Sequence, residues 1–238
     1  MGMKEVIKYI RLPFIFSVER LGKELNALSA QWVAHFNKAH YDGEWSALPL
    51  RSINGQMENI IPEYNSTGAF KDTILMEQCP YIKSILGQFD SELKAVRLLK
   101  LSPGAVIKEH TDLELCYEQG EARIHIPITT NDLVEFYLDN ERIYMKPGEC
   151  WYMNFNLPHR IINGGSTDRV HLVIDIVVND KIRKMFEAVD AEMKKMTRTK
   201  EEFSSKDKMN IVRQLRELNT PASNKLAEEM EAALKIDE

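Results

Sequence analysis

The chain has 238 residues, 44% of them hydrophobic and 28% charged, with a formal net charge of −5. This length can bury one sizeable core with a small annex, and neither the charge balance nor any basic run favours a nucleic-acid partner. The sequence lacks the run of about 20 apolar residues that a membrane span needs, and charged residues interrupt its N-terminal apolar stretch too often for a secretory signal.

The first third of the chain predicts two strands and two helices. Residues 3–16 alternate well enough for a first strand, and from Ser17 the apolar residues recur with a helical period. The predicted helical stripe consists of Leu21, Leu25, Leu28, Trp32 and Phe36. Residues 47–53 are expected to form a strand between turn-rich segments. Pro80 near its start and Gly87 just past its end predict a short second helix.

The pattern between residues 94 and 178 is that of many short strands. The predicted strands are 95–102, 106–110, 122–129, 134–138, 142–145, 150–155, 158–162 and 169–178. Short strands of even spacing, joined by Gly, Pro and Asn turns, are typical of a jelly roll and not of a parallel α/β sheet. We therefore predict a mainly β fold with helical flanks, built on a double-stranded β-helix (jelly roll or cupin-like) core.

The last sixty residues have a helical pattern. Apolar stripes predict three helices, and Pro221 is expected in the first turn of the third. The charge-dense segment 197–208 is interpreted as a solvated linker. We accordingly divide the chain into residues 1–179, the β-helix domain with its N-terminal helical buttress, and residues 180–238, a helical annex. This annex could support a lid or serve as a homodimerisation arm.

Two histidines and one carboxylate mark a candidate metal site. His110 and Asp112 are two positions apart, and on a β-strand such residues point to the same side. His159 lies several predicted strands further on, far enough for the fold to bring it back. Two histidines and a carboxylate form the facial triad of non-haem Fe(II) oxygenases. A single histidine is more often structural, and we interpret His35 and His40 as structural or surface residues.

Two predicted strands each carry an arginine and a histidine on one face. These pairs are Arg123 with His125 and Arg169 with His171. A guanidinium inside a barrel is unfavourable unless it meets an anion, and arginine suits bidentate binding of a carboxylate. Two interpretations stay open, a ligand carboxylate and an internal ion pair. The acidic candidates for an internal pair are Asp132, Asp139 and Asp175.

Residues 94–178 resemble the aspartyl/asparaginyl β-hydroxylase family of Fe(II)/2-oxoglutarate-dependent oxygenases, which also includes bacterial proline cis-hydroxylases. The matching stretches are SPGAVIKEHTD, ARIHIPITTN, KPGECWYMNFNLPHRIIN and DRVHLVID, with WSALPLRSINGQ as a weaker upstream match. The resemblance implies a double-stranded β-helix that binds Fe(II) and uses 2-oxoglutarate as cosubstrate together with O2.

The resemblance also implies roles for individual residues. It makes His110, Asp112 and His159 the iron ligands and Arg169 the partner of the distal carboxylate of 2-oxoglutarate. His125 matches a residue on the cosubstrate side of the pocket. The presence of Asp112 brings the sequence nearer to the bacterial amino-acid hydroxylases, because the family's animal enzyme lacks the carboxylate ligand.

Further residues are predicted around the substrate. Arg123 matches a residue lining the pocket, and Arg160 and Arg51 are additional candidates to meet an acidic group of the substrate. His171, which shares a face with Arg169, is expected to support the cosubstrate site from behind. Leu99 stands where the animal enzyme has a serine assisting the arginine, so part of that contact must come from elsewhere.

The resemblance implies hydroxylation of an unactivated C–H bond of an amino acid, with release of succinate and CO2. A free amino acid, hence a small-molecule substrate, is favoured over a peptidyl Asp or Asn because the sequence shows no protein-docking module. Two alternatives stay open: a cupin-type metalloenzyme that uses no 2-oxoglutarate, and a catalytically silent metabolite-binding barrel. The three cysteines are widely spaced and form no disulfide or metal motif, so we expect a cytoplasmic location.

Overall fold

The computed structural model describes residues 6–28, 32–61, 68–112, 115–201 and 205–234. The chain divides into two compact units, residues 1–190 and 191–238. Among the described residues, no helix combines the length and the apolar character that crossing a membrane would require.

The N-terminal elements include strands of both core sheets as well as helices. They are β1 (Tyr9–Ile15), α1 (Val18–Ala27), β2 (Val33–Ala34), β3 (Tyr41–Asp42), β4 (Trp45–Ile53), β5 (Phe70–Asp72) and α2 (Pro80–Leu86). The predicted first strand is confirmed, and α1 begins after Ser17, whose hydroxyl accepts a hydrogen bond from the backbone N–H of Arg20. The short helix before Gly87 is confirmed as well.

The predicted extension of α1 towards Phe36 is wrong. The helix ends at Ala27, and Val33 pairs with Ala47 in the sheet. Leu21 is the one residue of the predicted stripe that is fully buried within α1, so packing would stabilise further helical turns only weakly. A β-branched residue with an available strand partner then favours extended backbone.

The β core contains eight further strands. They are β6 (Leu93–Leu101), β7 (Val106–His110), β8 (Glu121–Thr129), β9 (Val134–Leu138), β10 (Glu141–Arg142), β11 (Glu149–Met153), β12 (His159–Asn163) and β13 (Arg169–Val177). Seven of the eight strands predicted in this region are present, whereas the one predicted at 142–145 is wrong except for Arg142, the second residue of β10. Tyr144, which follows β10, is exposed and has no sheet partner to hold it extended.

Two antiparallel sheets face each other. The first has the strand order β1-β11-β8-β13-β6-β4-β2, with β5 beside β4, and the second has the order β10-β9-β12-β7-β3. From β6 to β9 and again from β10 to β13, successive strands alternate between the two sheets, while β9 and β10 form a hairpin in the second; this is the winding of a double-stranded β-helix. The predicted fold class is therefore confirmed. The apolar core joins both sheets, as shown by Leu101 and Met153 of the first packing with Phe136 and Ile161 of the second.

Three helices complete the chain: α3 (Asp180–Glu201), α4 (Ser205–Leu218) and α5 (Pro221–Leu234). The start of α3 coincides with the predicted domain boundary, whereas the compact units divide within that helix. The linker predicted at 197–208 is helical over 197–201 and 205–208, and residues 202–204 lie outside the described residues. Lys, Arg and Glu are good helix formers, so their density alone does not end a helix.

Candidate metal centre and its cavity

The three candidate metal ligands lie together at neighbouring strands of the second sheet. His110 ends β7 and His159 begins β12, and these two residues are direct partners across the antiparallel pair. Asp112 follows β7 and is held by a 2.9 Å hydrogen bond from its backbone N–H to the carbonyl of Phe155. One ligand atom from each of the three lies within 4.8 Å of the others. The register of the sheet therefore produces the convergence that the sequence predicts.

Backbone carbonyls orient both imidazoles. Nδ1 of His110 lies 2.7 Å from the carbonyl oxygen of Lys108, and Nδ1 of His159 lies 3.1 Å from that of Leu157. A carbonyl only accepts, so each Nδ1 carries the proton and each Nε2 keeps a free lone pair. Nε2 of His110 is 3.6 Å from Oδ1 of Asp112. Two imidazole nitrogens and a carboxylate oxygen, with the histidines fixed from behind, fit a divalent metal ion.

The electrostatics keep His159 and Asp112 in their metal-binding forms. Burial, with a smaller contribution from His110, lowers the pKa of His159 to about 4 against the opposing effect of Asp112. The imidazole is therefore neutral at physiological pH. Burial alone would raise the pKa of Asp112, but the Arg123 guanidinium and the two histidines outweigh it and hold that pKa below its usual value. The carboxylate is therefore ionised.

A buried network of charges adjoins the metal ligands. Arg123 donates from Nη1 to Asp112 over 2.8 Å and from Nε and Nη2 to Asp175 over 2.7 and 3.0 Å. Arg97 donates from Nη2 to the same Asp175 over 2.8 Å. Asp175 is only 1% exposed, so it compensates two guanidiniums inside the barrel. The internal ion pair considered for Arg123 is thus present, and its guanidinium lines the cavity as well.

Arg169 has a different environment. It begins β13, is 2% exposed, and contacts Nδ1 of His171 through Nη2 at 3.0 Å. Burial lowers its pKa to about 9, which leaves it charged. No carboxylate of the described residues forms an ion pair with Arg169, and its Nε has no hydrogen-bond partner among them. Nε2 of His125 also lacks a partner in the described part of the chain.

One cavity of about 360 Å³ connects these groups. Its lining includes His110, Asp112, His159, Arg97, Arg123, Arg169, His125, His35, Phe36, Asn37, His40 and Trp45. The sequence analysis missed the placement of Arg97, His35 and His40. The signal for Arg97 was available, since it is an arginine within the apolar strand β6 and the reasoning applied to Arg123 covers it equally. His35 lies within the segment that was wrongly predicted as helix and His40 just after it, and so their direction could not be derived.

Two predicted substrate contacts lie elsewhere, and the structure corrects them. Arg160 follows His159 on β12 and therefore points to the opposite side, where it donates to Glu109 over 2.9 Å. Arg51 donates to Asp72 over 2.7 Å across the β4–β5 pair. Neither arginine lines the cavity. His171 does not line the cavity either. It contacts Arg169, as the predicted role of supporting the cosubstrate site from behind requires.

Fold and site together define a jelly-roll protein with a two-histidine, one-carboxylate metal site. Residues 16–178 match the family model described as Aspartyl/Asparaginyl beta-hydroxylase. The chain therefore belongs to that family.

Two curated relatives and one solved structure are similar to this chain. L-proline cis-4-hydroxylase of Rhizobium meliloti (strain 1021) is 32% identical over 167 residues, which cover 67% of this chain and 57% of that protein. L-proline cis-3-hydroxylase 1 of a Streptomyces species is 25% identical over 162 residues, which cover 66% and 56%. The chain spans about half the length of the curated relatives it matches. Among solved structures, an oxidoreductase of the 2OG-Fe(II) oxygenase family from Burkholderia pseudomallei aligns with 68% of this chain and 79% of its own at a TM-score of 0.49 and 12% identity.

Proposed function

We propose that this chain is an Fe(II)- and 2-oxoglutarate-dependent dioxygenase that hydroxylates an unactivated C–H bond of an amino acid. One observation carries the proposal. Three metal-binding side chains converge in a cavity that also contains a buried guanidinium, that of Arg169, with no carboxylate partner among the described residues.

The donor set supports Fe(II) as the metal. Nε2 of His110, Nε2 of His159 and the carboxylate of Asp112 would hold it on one face and leave the other coordination positions for ligands. Bound there, Fe(II) would supply the activation of O2. This chemistry converts 2-oxoglutarate to succinate and CO2 and, coupled to that conversion, hydroxylates the substrate. The protein itself fixes the imidazole orientation through the carbonyls of Lys108 and Leu157.

Arg169 supports 2-oxoglutarate as the cosubstrate. A charged group that is 2% exposed is unfavourable without an anion, and a dicarboxylate whose far end reaches this guanidinium would supply one. Fixing that end would convert a diffusional encounter into a positioned reactant. A cupin-type enzyme that uses no oxo acid has no need for such an arginine, so this residue favours the oxygenase over that alternative.

The remaining charges of the cavity support a substrate with one carboxylate. Three guanidiniums line it, those of Arg97, Arg123 and Arg169. The carboxylates of Asp112 and Asp175 balance two of them. Arginine binds carboxylates well, so the α-carboxylate of an amino acid would fit near Arg97 and Arg123.

A free amino acid is favoured over a residue in a protein. The relatives are named for cis-hydroxylation of L-proline, and a cavity of about 360 Å³ has the size of a small-molecule site. The experiment is a panel of free L-amino acids and of peptides containing Asp or Asn, each supplied with Fe(II), 2-oxoglutarate and O2. We expect succinate release together with addition of one oxygen atom to a free amino acid. Hydroxylation of the peptides alone would contradict the preference, and no succinate with any substrate would contradict the oxygenase.

A further inference from the structure

One wall of the cavity is aromatic and does not take part in holding the metal. The ring of His35 stacks on that of Trp45, with a centroid distance of 3.4 Å and an interplanar angle of 13°. The His35 ring also contacts the ring of Phe36, at a centroid distance of 4.5 Å. The backbone N–H of His35 donates to the carbonyl of Trp45 over 2.8 Å, which ties this segment to β4. All three rings line the cavity, and together they form what we call the aromatic wall.

The choice of histidine in this wall calls for an explanation. His35 is only 9% exposed, and its Nδ1 finds no hydrogen-bond partner among the residues that the structure describes. A phenylalanine would give the same stacking on Trp45 without burying an unsatisfied polar atom. The other ring nitrogen, Nε2, also has no hydrogen-bond partner among the described residues but is not buried, so it is the atom that a molecule bound in the cavity can meet.

The charge state of the imidazole indicates which group it would meet. Burial, together with the nearby Arg97, lowers the pKa of His35 to about 3. The ring is therefore neutral at physiological pH and offers one nitrogen as an acceptor. Aromatic faces also attract cations. The aromatic wall carries no guanidinium or ammonium group, whereas the cations of the cavity lie on β6, β8 and β13.

These observations divide the cavity into two kinds of surface. The guanidiniums of Arg97 and Arg123 suit a carboxylate, and the aromatic wall suits a cationic donor. An amino acid carries both groups on one carbon atom. We propose that His35 is a substrate-positioning residue that accepts a hydrogen bond from the ammonium group of the amino acid, with the faces of Trp45 and Phe36 adding cation–π attraction. This inference rests on the proposed function and names the group through which the substrate is oriented.

The test compares amino acids with analogues that lack the amino group. L-proline is paired with cyclopentanecarboxylate, and L-leucine with 4-methylpentanoate. Affinities are measured by anaerobic calorimetry on the full chain with Fe(II) and 2-oxoglutarate. For at least one pair, wild type is expected to bind the amino acid about tenfold or more tightly than its analogue, the worth of one charge-assisted hydrogen bond. His35→Phe, which keeps the stack, should bring this ratio close to one.

Two further variants sharpen the comparison. His35→Gln keeps an acceptor and should restore part of the preference. Tyr41→Phe is the matched control, because the Tyr41 hydroxyl donates to the carbonyl of His35 at 3.2 Å but Tyr41 does not line the cavity. It should keep the full preference. Since His35→Gln also tests the position without the aromatic stack, an unfolded His35→Phe protein would not remove the test.

The outcomes separate this inference from the function on which it rests. The visible charge-transfer band of the Fe(II)–2-oxoglutarate complex is recorded on the same samples, and its absence from wild type contradicts the proposed function. If the band is present, an unchanged preference in His35→Phe overturns the role of His35. A wild-type protein that binds neither amino acid, or that binds them no better than the analogues, overturns it as well.

Discussion

Nη2 of Arg169 lies 3.0 Å from Nδ1 of His171, and the direction of this hydrogen bond is fixed because a guanidinium can only donate. Nδ1 of His171 is therefore an unprotonated acceptor. Nδ1 of His125 lies 3.3 Å from the same atom, so it must carry a proton for the two nitrogens to attract each other. The arginine thereby sets the tautomers of both histidines.

The first prediction concerns these tautomers. Burial and the charge of Arg169 lower the pKa of both His125 and His171, so both rings should remain neutral at physiological pH. Nitrogen-15 chemical shifts are expected to show a proton on Nδ1 of His125 and on Nε2 of His171. In Arg169→Met this constraint is removed and the tautomers should become mixed. A protonated Nδ1 on His171 in wild type would contradict the assignment.

The second prediction concerns the affinity for 2-oxoglutarate. Arg169→Met removes the cation while keeping a side chain of similar length, and the affinity should fall by about 2 kcal/mol or more, roughly thirtyfold, as expected for loss of a charge-assisted bond to a carboxylate. Anaerobic calorimetry with Fe(II) present measures it. Arg160→Met is the matched control, since Arg160 pairs with Glu109 outside the cavity. Equal affinities in the two variants would refute the cosubstrate role.

The third prediction concerns stability. Asp175→Asn leaves Arg97 and Arg123 in the barrel without their shared anion, and breaking such a buried pair costs about 3–5 kcal/mol. Urea unfolding should show this loss in the free energy of unfolding. Asp72→Asn serves as the comparison, because Asp72 pairs with Arg51 at a half-exposed position where such a pair contributes about 0–1 kcal/mol. Similar losses for both variants would show that the network is not held by Asp175.

Much of the metal site follows from local sequence pattern. Alternation along a strand predicts Asp112 beside His110, although β7 ends at His110 and a backbone hydrogen bond to Phe155 holds Asp112 there. The antiparallel register of β7 and β12 brings His159 opposite His110. The same alternation explains the failure at Arg160, because a residue directly after an inward histidine must point outward. The spacing rule was applied to the histidines but not to their neighbour.

Other features depend on contacts that no local pattern contains. The end of α1 is decided by the pairing of Val33 with Ala47, a contact between distant segments. That pairing also leads the chain to His35 and thus to the aromatic wall. Asp175 was one of several acidic candidates in the sequence, and only the alignment of β13 between β6 and β8 selects it as the partner of both arginines.

The central claim is that His110, Asp112 and His159 hold one Fe(II) ion, which 2-oxoglutarate chelates. Anaerobic titration of the protein with Fe(II) in the presence of 2-oxoglutarate, followed through the weak visible charge-transfer band, tests it most directly. Wild type and the control Glu109→Gln, whose carboxylate pairs with Arg160 away from the cavity, should saturate at one iron per chain. His110→Ala and Asp112→Ala should remain folded and give no band. A wild-type protein without the band, or an Asp112→Ala protein that titrates like wild type, would contradict the account.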